Sequence, residues 1–356
     1  RQHGQSGRWV SSVLPHLSRC VDDLAFFMAM QSRTNVHGPG SYLMNTGFLL
    51  PGFPCLGSWA SYALGRESDN LPAFVVMTSS DKGKTCGQLF FDYYWGAGFL
   101  PSRYQGVRFR NTGDLVPYLN NPAGMSAQSK RVLLDEVAEL NRRHLADYGD
   151  PEIETRIAQY EMAFRMQSSV PELVDFSGES KSVVERYGPD ALVKGTFANN
   201  CLVARRLLER GVRFVQLMHA GWDQHGNLHT QLEEQCRDTE GPAAALIRDL
   251  RERGMLEDTL VVWACEFGRT PFGQGDPNNP RGRDHFGRAF TWWMAGGGAR
   301  QGTVYGETDD FAWNIVRDPV HVHDFHATLL QCLGISHTKL TYRFQGRDYR
   351  LTDVGG

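Results

Sequence analysis

The sequence has few of the features that mark membrane, nucleic-acid-binding or disulfide-stapled proteins. It contains no apolar run of the roughly 18 to 20 residues that a membrane-spanning helix needs. Its 37 Lys and Arg residues are balanced by 40 Asp and Glu residues, so it lacks the basic excess of a general nucleic-acid binder. Its 7 cysteines include no C-x-x-C pair, which excludes a dense disulfide framework, argues against a zinc ribbon or redox motif and leaves room for one or two bridges.

The composition that remains is that of an ordinary globular protein. Hydrophobic residues make up 41% and charged residues 22% of the 356 positions, which excludes a disordered, fibrous or collagen-like chain. This length suits one large α/β domain or two smaller ones, with a core that needs no covalent staples. The first residue is Arg1 and no signal-like stretch precedes it, so we expect a processed or trimmed chain.

Short apolar runs alternate with longer amphipathic segments in the second half of the chain. Runs at 212–218, 259–265 and 289–295 predict strands, as does an earlier run at 73–77. Nearly continuous apolar strands separated by helices are typical of a parallel sheet that is covered on both faces. The pattern therefore predicts an α/β protein with three layers, α/β/α, around one mainly parallel sheet.

Helical periodicity predicts the segments that surround these strands. The predicted helices are 126–148, 151–167, 190–210, 228–253 and 323–333. The first three follow one another without an intervening strand. We therefore interpret 126–210 as a helical insertion in a single domain that spans 1–356.

Three groups of polar side chains stand at the ends of the predicted strands. They are Asp223 with His225, Glu266 with Arg269, and Asp284 with His285. Ligands in parallel α/β sheets bind beyond the carboxyl ends of the strands, so we expect these groups to share one site. Each group alone is also explained as a cap, a surface histidine or an ion pair.

Carboxylate oxygens and imidazole nitrogens together suit a divalent cation, which can polarise an ester oxygen or lower the pKa of bound water toward about 7. We expect this ion to be zinc, calcium or magnesium. The predicted ligands are Asp223, His225, Glu266, Asp284 and His285.

A histidine precedes Gly-Pro-Gly in the segment 35–47. Pro39 is expected near the first position of a helix, where backbone N–H groups favour an anion such as phosphate or sulfate. An ordinary Pro-initiated helix is the alternative. We expect His37 to lie in the cleft of the predicted metal site, facing Asp223 and Glu266.

The remaining histidines are expected to be structural or to lie at the surface. His321, His323 and His326 flank and enter the predicted helix at 323–333, which Asp324 is expected to cap. The histidines expected at the surface are His3, His16 and His144.

Several motifs together resemble a known family. They are MNTG (44–47), GWDQH (221–225), EFGRTP (266–271), RDH (283–285), AGGG (295–298) and HDFHATLL (323–330). The combination covers nearly all of the chain and resembles the bacterial family called domain of unknown function 1501. The resemblance implies the fold of the alkaline phosphatase and sulfatase superfamily, whose members hydrolyse phosphate or sulfate esters with one or two metal ions.

The resemblance also implies a role for His37. In the frame of the sulfatase motif, His37 takes the position of the nucleophile, Pro39 that of the proline and Thr46-Gly47 that of the Thr-Gly pair. A histidine cannot become the formylglycine of sulfatases, so we expect His37 to act as a nucleophile or a general base. Asn35 and Arg269 are expected to contact the substrate.

Other positions depart from the superfamily pattern. One residue separates Asp223 from His225 where the superfamily has three, and Phe267 stands where it has the histidine of an Asp-His pair. The superfamily's first strand normally precedes the nucleophile by some tens of residues. Few residues precede His37, so we expect the chain to lack the N-terminal strand of its domain.

Two classes of function follow from these observations. We favour a metal-dependent hydrolase of sulfate or phosphate esters, acting on a small molecule or glycan and exported to the periplasm or cell surface as its relatives are. The alternative is a non-catalytic sulfatase-like binding or surface-assembly protein, in which aromatic residues 93–95 bind glycans or a partner. A purely structural domain is a third interpretation, and the sequence does not specify an oligomeric state.

Overall fold

The computed structural model describes residues 1–79, 90–117, 119–275 and 281–354 as a mixture of helices and short strands. The helices are α1 (His37–Thr46), α2 (Leu56–Leu64), α3 (Ala127–Tyr148), α4 (Pro151–Val174), α5 (Lys181–Arg186), α6 (Phe197–Leu208), α7 (Leu228–Glu252) and α8 (Val322–Cys332). The strands are β1 (Gln2–His3), β2 (Arg8–Trp9), β3 (Leu24–Gln31), β4 (Phe74–Ser79), β5 (Val107–Phe109), β6 (Phe214–His219), β7 (Val261–Trp263), β8 (Gly268–Arg269), β9 (His285–Phe286), β10 (Phe290–Ala295), β11 (Val304–Tyr305), β12 (Glu307–Thr308), β13 (Ile315–Arg317), β14 (Val320–His321), β15 (Tyr342–Phe344) and β16 (Arg347–Tyr349).

The larger sheet is mixed and has five strands. Its order is β11-β3-β10-β7, and β14 also pairs with β3. Strands β11 and β14 run parallel to β3, whereas β10 runs antiparallel to both β3 and β7. Strand β3 is absent from the predicted strands, although seven of its eight residues, LAFFMAMQ, are apolar.

Helices cover both faces of this larger sheet. On one face, Phe325 of α8 packs edge-on against Phe27 and Trp292, with ring centroids 4.9 and 4.7 Å apart. On the other face, Leu24 and Trp293 pack in one cluster with side chains of α6 and α7. The alternation of side chains along β3 and β10 therefore divides their apolar residues between two cores.

The smaller sheet has the order β5-β4-β6, and all of its strands are parallel. Strands β6 and β7 thus lie in different sheets, so the prediction that 212–218 and 259–265 share one sheet is wrong. The ring of Phe197 from α6 bridges these strands, since it packs edge-on against His219 of β6 at 5.4 Å and against Trp263 of β7 at 6.2 Å. An apolar run shows that a strand is buried and does not specify its neighbour.

The predicted helices are present with shifted ends. Helices α3, α7 and α8 lie within one residue of their predicted limits, while α4 extends to Val174 and α6 begins only at Phe197. Ser126 caps α3 by accepting a hydrogen bond from the N–H of Ser129. Helix α6 contributes side chains to the cores of both sheets, so the block at 126–210 is joined to the body of the protein.

A buried ion-pair network anchors α6. The Arg205 side chain is 1% exposed, and its guanidinium lies 2.7 Å from Glu179, 2.7 Å from Glu209 and 3.1 Å from Asp249. The hydroxyl of Tyr187 donates a hydrogen bond of 2.8 Å to Asp249. Arg253 also pairs with Glu179, Glu209 and Asp249, at 3.7, 2.8 and 2.8 Å, but Arg205 is the most buried cation that neutralises these carboxylates.

The histidines at the start of α8 have structural positions. The Nδ1 atom of His321 accepts a hydrogen bond from the N–H of His323, and Asp324 accepts one from the N–H of His321, which together cap the helix. The Nε2–H groups of His323 and His326 donate to the carbonyl oxygens of Gly47 and Met44. They thereby satisfy carbonyl groups at the carboxyl end of α1.

The buried histidines of α8 predict that the protein loses stability in mild acid. Burial lowers the pKa of His326 to about 4 and that of His321 to about 4, against an ordinary value of 6.5. Between these pH values the unfolded chain binds protons that the folded protein does not. The free energy of unfolding therefore falls as the pH falls from 6.5 toward 4, by at most about 1.4 kcal/mol per unit for each group.

We expect a lower urea midpoint at pH 5 than at pH 7, and a smaller difference for His326→Gln. The matched control is His229→Gln, because His229 is exposed and its replacement should leave the difference unchanged. An identical pH dependence for the parent and His326→Gln would contradict this prediction.

None of the helices in the described ranges is long and apolar enough to cross a membrane. No disulfide bond is formed by Cys20, Cys55, Cys236, Cys265 or Cys332, and Cys86 lies outside the described residues.

Candidate metal centre

The side chains of the predicted site converge on one carboxylate oxygen. The Oδ1 atom of Asp223 lies 3.2 Å from Nε2 of His37, 2.9 Å from Nε2 of His225 and 3.1 Å from Nε2 of His285. The Arg269 guanidinium lies 2.6 Å from the same oxygen. Five residues that the sequence analysis singled out are therefore brought together around one atom.

The local fold explains how these side chains meet. Asp223 and His225 follow β6, and His37 is the first residue of α1, which follows β3. Arg269 of β8 is the antiparallel partner of His285 in β9, so the two side chains leave the same small hairpin side by side. Residues from both sheets and from the β8–β9 hairpin thus converge on one cleft.

Each of the three imidazoles has its Nδ1 atom against an oxygen acceptor. The pairs are His37 with Oε1 of Glu266 at 2.5 Å, His225 with Oε1 of Gln274 at 2.7 Å, and His285 with the carbonyl oxygen of Asn35 at 2.7 Å. Because these oxygens only accept, each Nδ1 carries the proton and donates, and each neutral ring keeps its lone pair on Nε2. Metal-binding histidines are generally oriented in this way.

The Nε2 atoms fit a shared cation. Nε2 of His37 is buried and has no hydrogen-bond partner among the described residues, and the Nε2 atoms of His225 and His285 lie 3.0 Å apart. Lone pairs that face each other and a carboxylate at such distances are stabilised by a positive charge between them. Ligands about 2.1 Å from a tetrahedral zinc ion lie about 3.3 Å from each other, close to the separations around Asp223.

The charges of the site attract a proton to His37 and keep Asp223 ionised. The hydrogen bond to Glu266 raises the pKa of His37 above its ordinary value, against the effect of burial, so a cation at Nε2 would take the place of the proton that this ring attracts. Burial acts to raise the pKa of Asp223, but the hydrogen bond and the charge of Arg269 outweigh it and hold that pKa well below its usual range. Asp223 is therefore an anion at neutral pH.

Two predicted ligands lie outside the set of converging donor atoms. Glu266 binds the Nδ1 side of the His37 ring, and its Cβ packs beside Gly40, where an added Cβ would be 3.1 Å away. The exposed Asp284 accepts a hydrogen bond of 2.8 Å from the N–H of His285. These contacts are with the histidine residues, and the expectation that Glu266 and Asp284 bind a metal stays a prediction.

The two predicted substrate contacts have different positions. Arg269 donates to Asp223 and to the carbonyl oxygen of Trp222, so its charge stands beside the converging nitrogens. The Oδ1 atom of Asn35 accepts a hydrogen bond of 2.6 Å from the N–H of Gly287, which ties the loop after β9 to the segment before α1. Both oxygens of Asn35 thus hold the His285 loop in place, and its contact with a substrate stays a prediction.

Two residues of the site region were not predicted. Gln274 orients His225 across 49 positions of sequence, and no motif surrounds it. His219, the last residue of β6, lies between Oγ of Ser79 and Oε1 of Gln235, and burial lowers its pKa. The signal for His219 was its place at the end of a predicted strand, whereas Gln274 had none.

Comparison with known proteins identifies the family of this chain. No curated protein matches the sequence. The family model described as "Protein of unknown function (DUF1501)" matches residues 1–356, and the chain therefore belongs to the DUF1501 family.

Proposed function

We propose that this protein is a metal-dependent hydrolase of sulfate or phosphate esters, with a fold related to that of the alkaline phosphatase and sulfatase superfamily. The observation that carries the proposal is the convergence of three imidazole Nε2 atoms on the Oδ1 atom of Asp223. The substrate class is a small molecule or glycan that bears the ester.

The proposed ligands are His37, Asp223, His225 and His285. Three nitrogen donors and one carboxylate favour zinc over calcium and magnesium, which prefer sites made of oxygen. Glu266 supports this set by fixing the ring of His37 through Nδ1. A bound zinc ion would polarise an ester oxygen and lower the pKa of a water molecule that it binds.

The surrounding residues favour an anionic substrate. Arg269 places a permanent positive charge at the cleft, 2.6 Å from Asp223. Helix α1 begins at His37, and the residue before it, Val36, provides no side-chain cap for the first N–H groups. The positive end of the α1 dipole is therefore directed to the side of the site where a sulfate or phosphate group would be bound.

The alternative function is a non-catalytic binding or surface-assembly protein. It is favoured by the aromatic segment beside α1, in which the side chains of Phe91 and Tyr93 are 46% and 62% exposed. Tyr94 and Trp95 of the same segment are buried, so two exposed rings remain for a glycan or partner. Both proposals include export of the protein to the periplasm or cell surface.

Metal content and ester hydrolysis, measured on the same preparation, test the proposal. We expect about one zinc ion per chain by elemental analysis, and turnover of aryl sulfate or aryl phosphate esters that a chelator removes and added zinc restores. A chain that binds no divalent metal would overturn the metal site. A chain that binds zinc without turning over either ester would favour the binding protein.

A further inference from the structure

Helix α3 has two apolar stripes, and only one of them is covered. The inner stripe faces α4 and contains Leu134, Ala138 and Leu145, of which Ala138 is 6% exposed. The ion pair between Arg131 and Glu161, with N and O 2.5 Å apart, connects the two helices on this side. The pairing of α3 with α4 therefore uses one side of the helix.

The outer stripe turns away from α4. It consists of Leu133, Val137, Leu140, His144 and Tyr148, which are spaced four, three, four and four residues apart. Residues at these intervals lie on one face of a helix. Leu133 is 49%, Leu140 is 54% and Tyr148 is 78% exposed, so the helix presents a continuous apolar face of about four turns to solvent.

We propose that the outer stripe is the interface of a homodimer in which α3 packs antiparallel against α3 of a second copy. The first four residues of the stripe, from Leu133 to His144, are spaced four, three and four apart, which is the same in both directions. An antiparallel pairing therefore places Leu133 against His144 of the partner subunit and Val137 against Leu140 of the partner subunit. A twofold interface requires such self-complementarity.

Charges beside the stripe select this orientation. In the antiparallel pairing, Lys130 meets Asp147 of the partner subunit and Glu136 meets Arg143 of the partner subunit, each twice by symmetry. In a parallel pairing, Lys130 would meet its own copy, and so would Asp147. Repulsion between like charges excludes the parallel arrangement, as in the pairing rules of coiled coils.

The association state of the full chain tests the apolar contact. We expect the parent to sediment as a dimer, and the double variant L133D/L140D to dissociate with a dissociation constant raised more than about tenfold. The matched control is Val132→Asp, because Val132 is 54% exposed on the same helix but lies outside the stripe. Circular dichroism of all three proteins verifies that α3 is intact.

Charge reversal tests the orientation. Glu136→Arg should weaken the dimer, and the double variant E136R/R143E should restore it. A parent that remains monomeric at high concentration, or a dimer that L133D/L140D leaves intact, would overturn the proposal. A dimer that E136R/R143E fails to restore would overturn the antiparallel pairing. These measurements need neither metal nor turnover, so they are independent of the proposed function.

Discussion

His37→Ala should remove the bound metal and the ester hydrolysis together. Nε2 of His37 is buried without a hydrogen bond and lies 3.2 Å from Asp223, which places it among the proposed ligands. Loss of a residue that only orients a metal ligand costs about 10- to 100-fold in affinity, so loss of a ligand should cost more than about 100-fold.

The result separates two roles for His37. Zinc affinity and turnover are measured for His37→Ala and for His229→Ala, an exposed histidine four residues after His225 that should change neither. If zinc is retained while the rate falls by about two to four orders of magnitude, His37 is a general base or nucleophile and the ligand assignment is wrong. Unchanged turnover would remove His37 from the mechanism altogether.

Arg205→Met should cost about 3 to 5 kcal/mol of unfolding free energy. The methionine retains much of the apolar stem, but the three carboxylates around the guanidinium lose their most buried cation. They retain the partly exposed Arg253, and Glu179 also retains Arg206. Removing one partner of a buried ion pair leaves charges that the interior does not stabilise, and costs of this size follow.

Chemical denaturation measures this loss. The matched control is Arg66→Ala, which breaks an ion pair with Asp69 at 4.0 Å whose side chains are 48% and 81% exposed. Exposed pairs contribute about 0 to 1 kcal/mol, so the control should remain close to the parent. A loss below about 1 kcal/mol for Arg205→Met would contradict the assigned role of the network.

The sequence predicts local structure in this protein better than it predicts which strands pair. The limits of α3 and α7 follow from a cap, a glycine and a helical period, all of which act within a few residues. The partner of β10 depends on residues far away, and its apolar run FTWWMA suits a buried strand of either direction. Strand β3 is absent from the predicted strands although its run LAFFMAMQ is as apolar as theirs.

The sequence likewise predicts some residues of the candidate site and not the roles of others. Asp223, His225 and His285 were found because each stands at the end of a predicted strand. The roles of Glu266 and Gln274 depend on which ring nitrogen they face, and spacing in the sequence contains no information about that. Side-chain orientation therefore separates the converging donors from the residues that hold them.

The distances along the chain between these groups have a consequence for how the protein forms. The hydrogen bond from His285 to Asn35 joins residues 250 positions apart, and that from His37 to Glu266 joins residues 229 apart. Contacts between such distant residues bear a large entropy of loop closure and form slowly. The cleft is therefore completed late during folding. A peptide from the region around GWDQH would contain Asp223 and His225 but not the residues distant in sequence that complete the cleft.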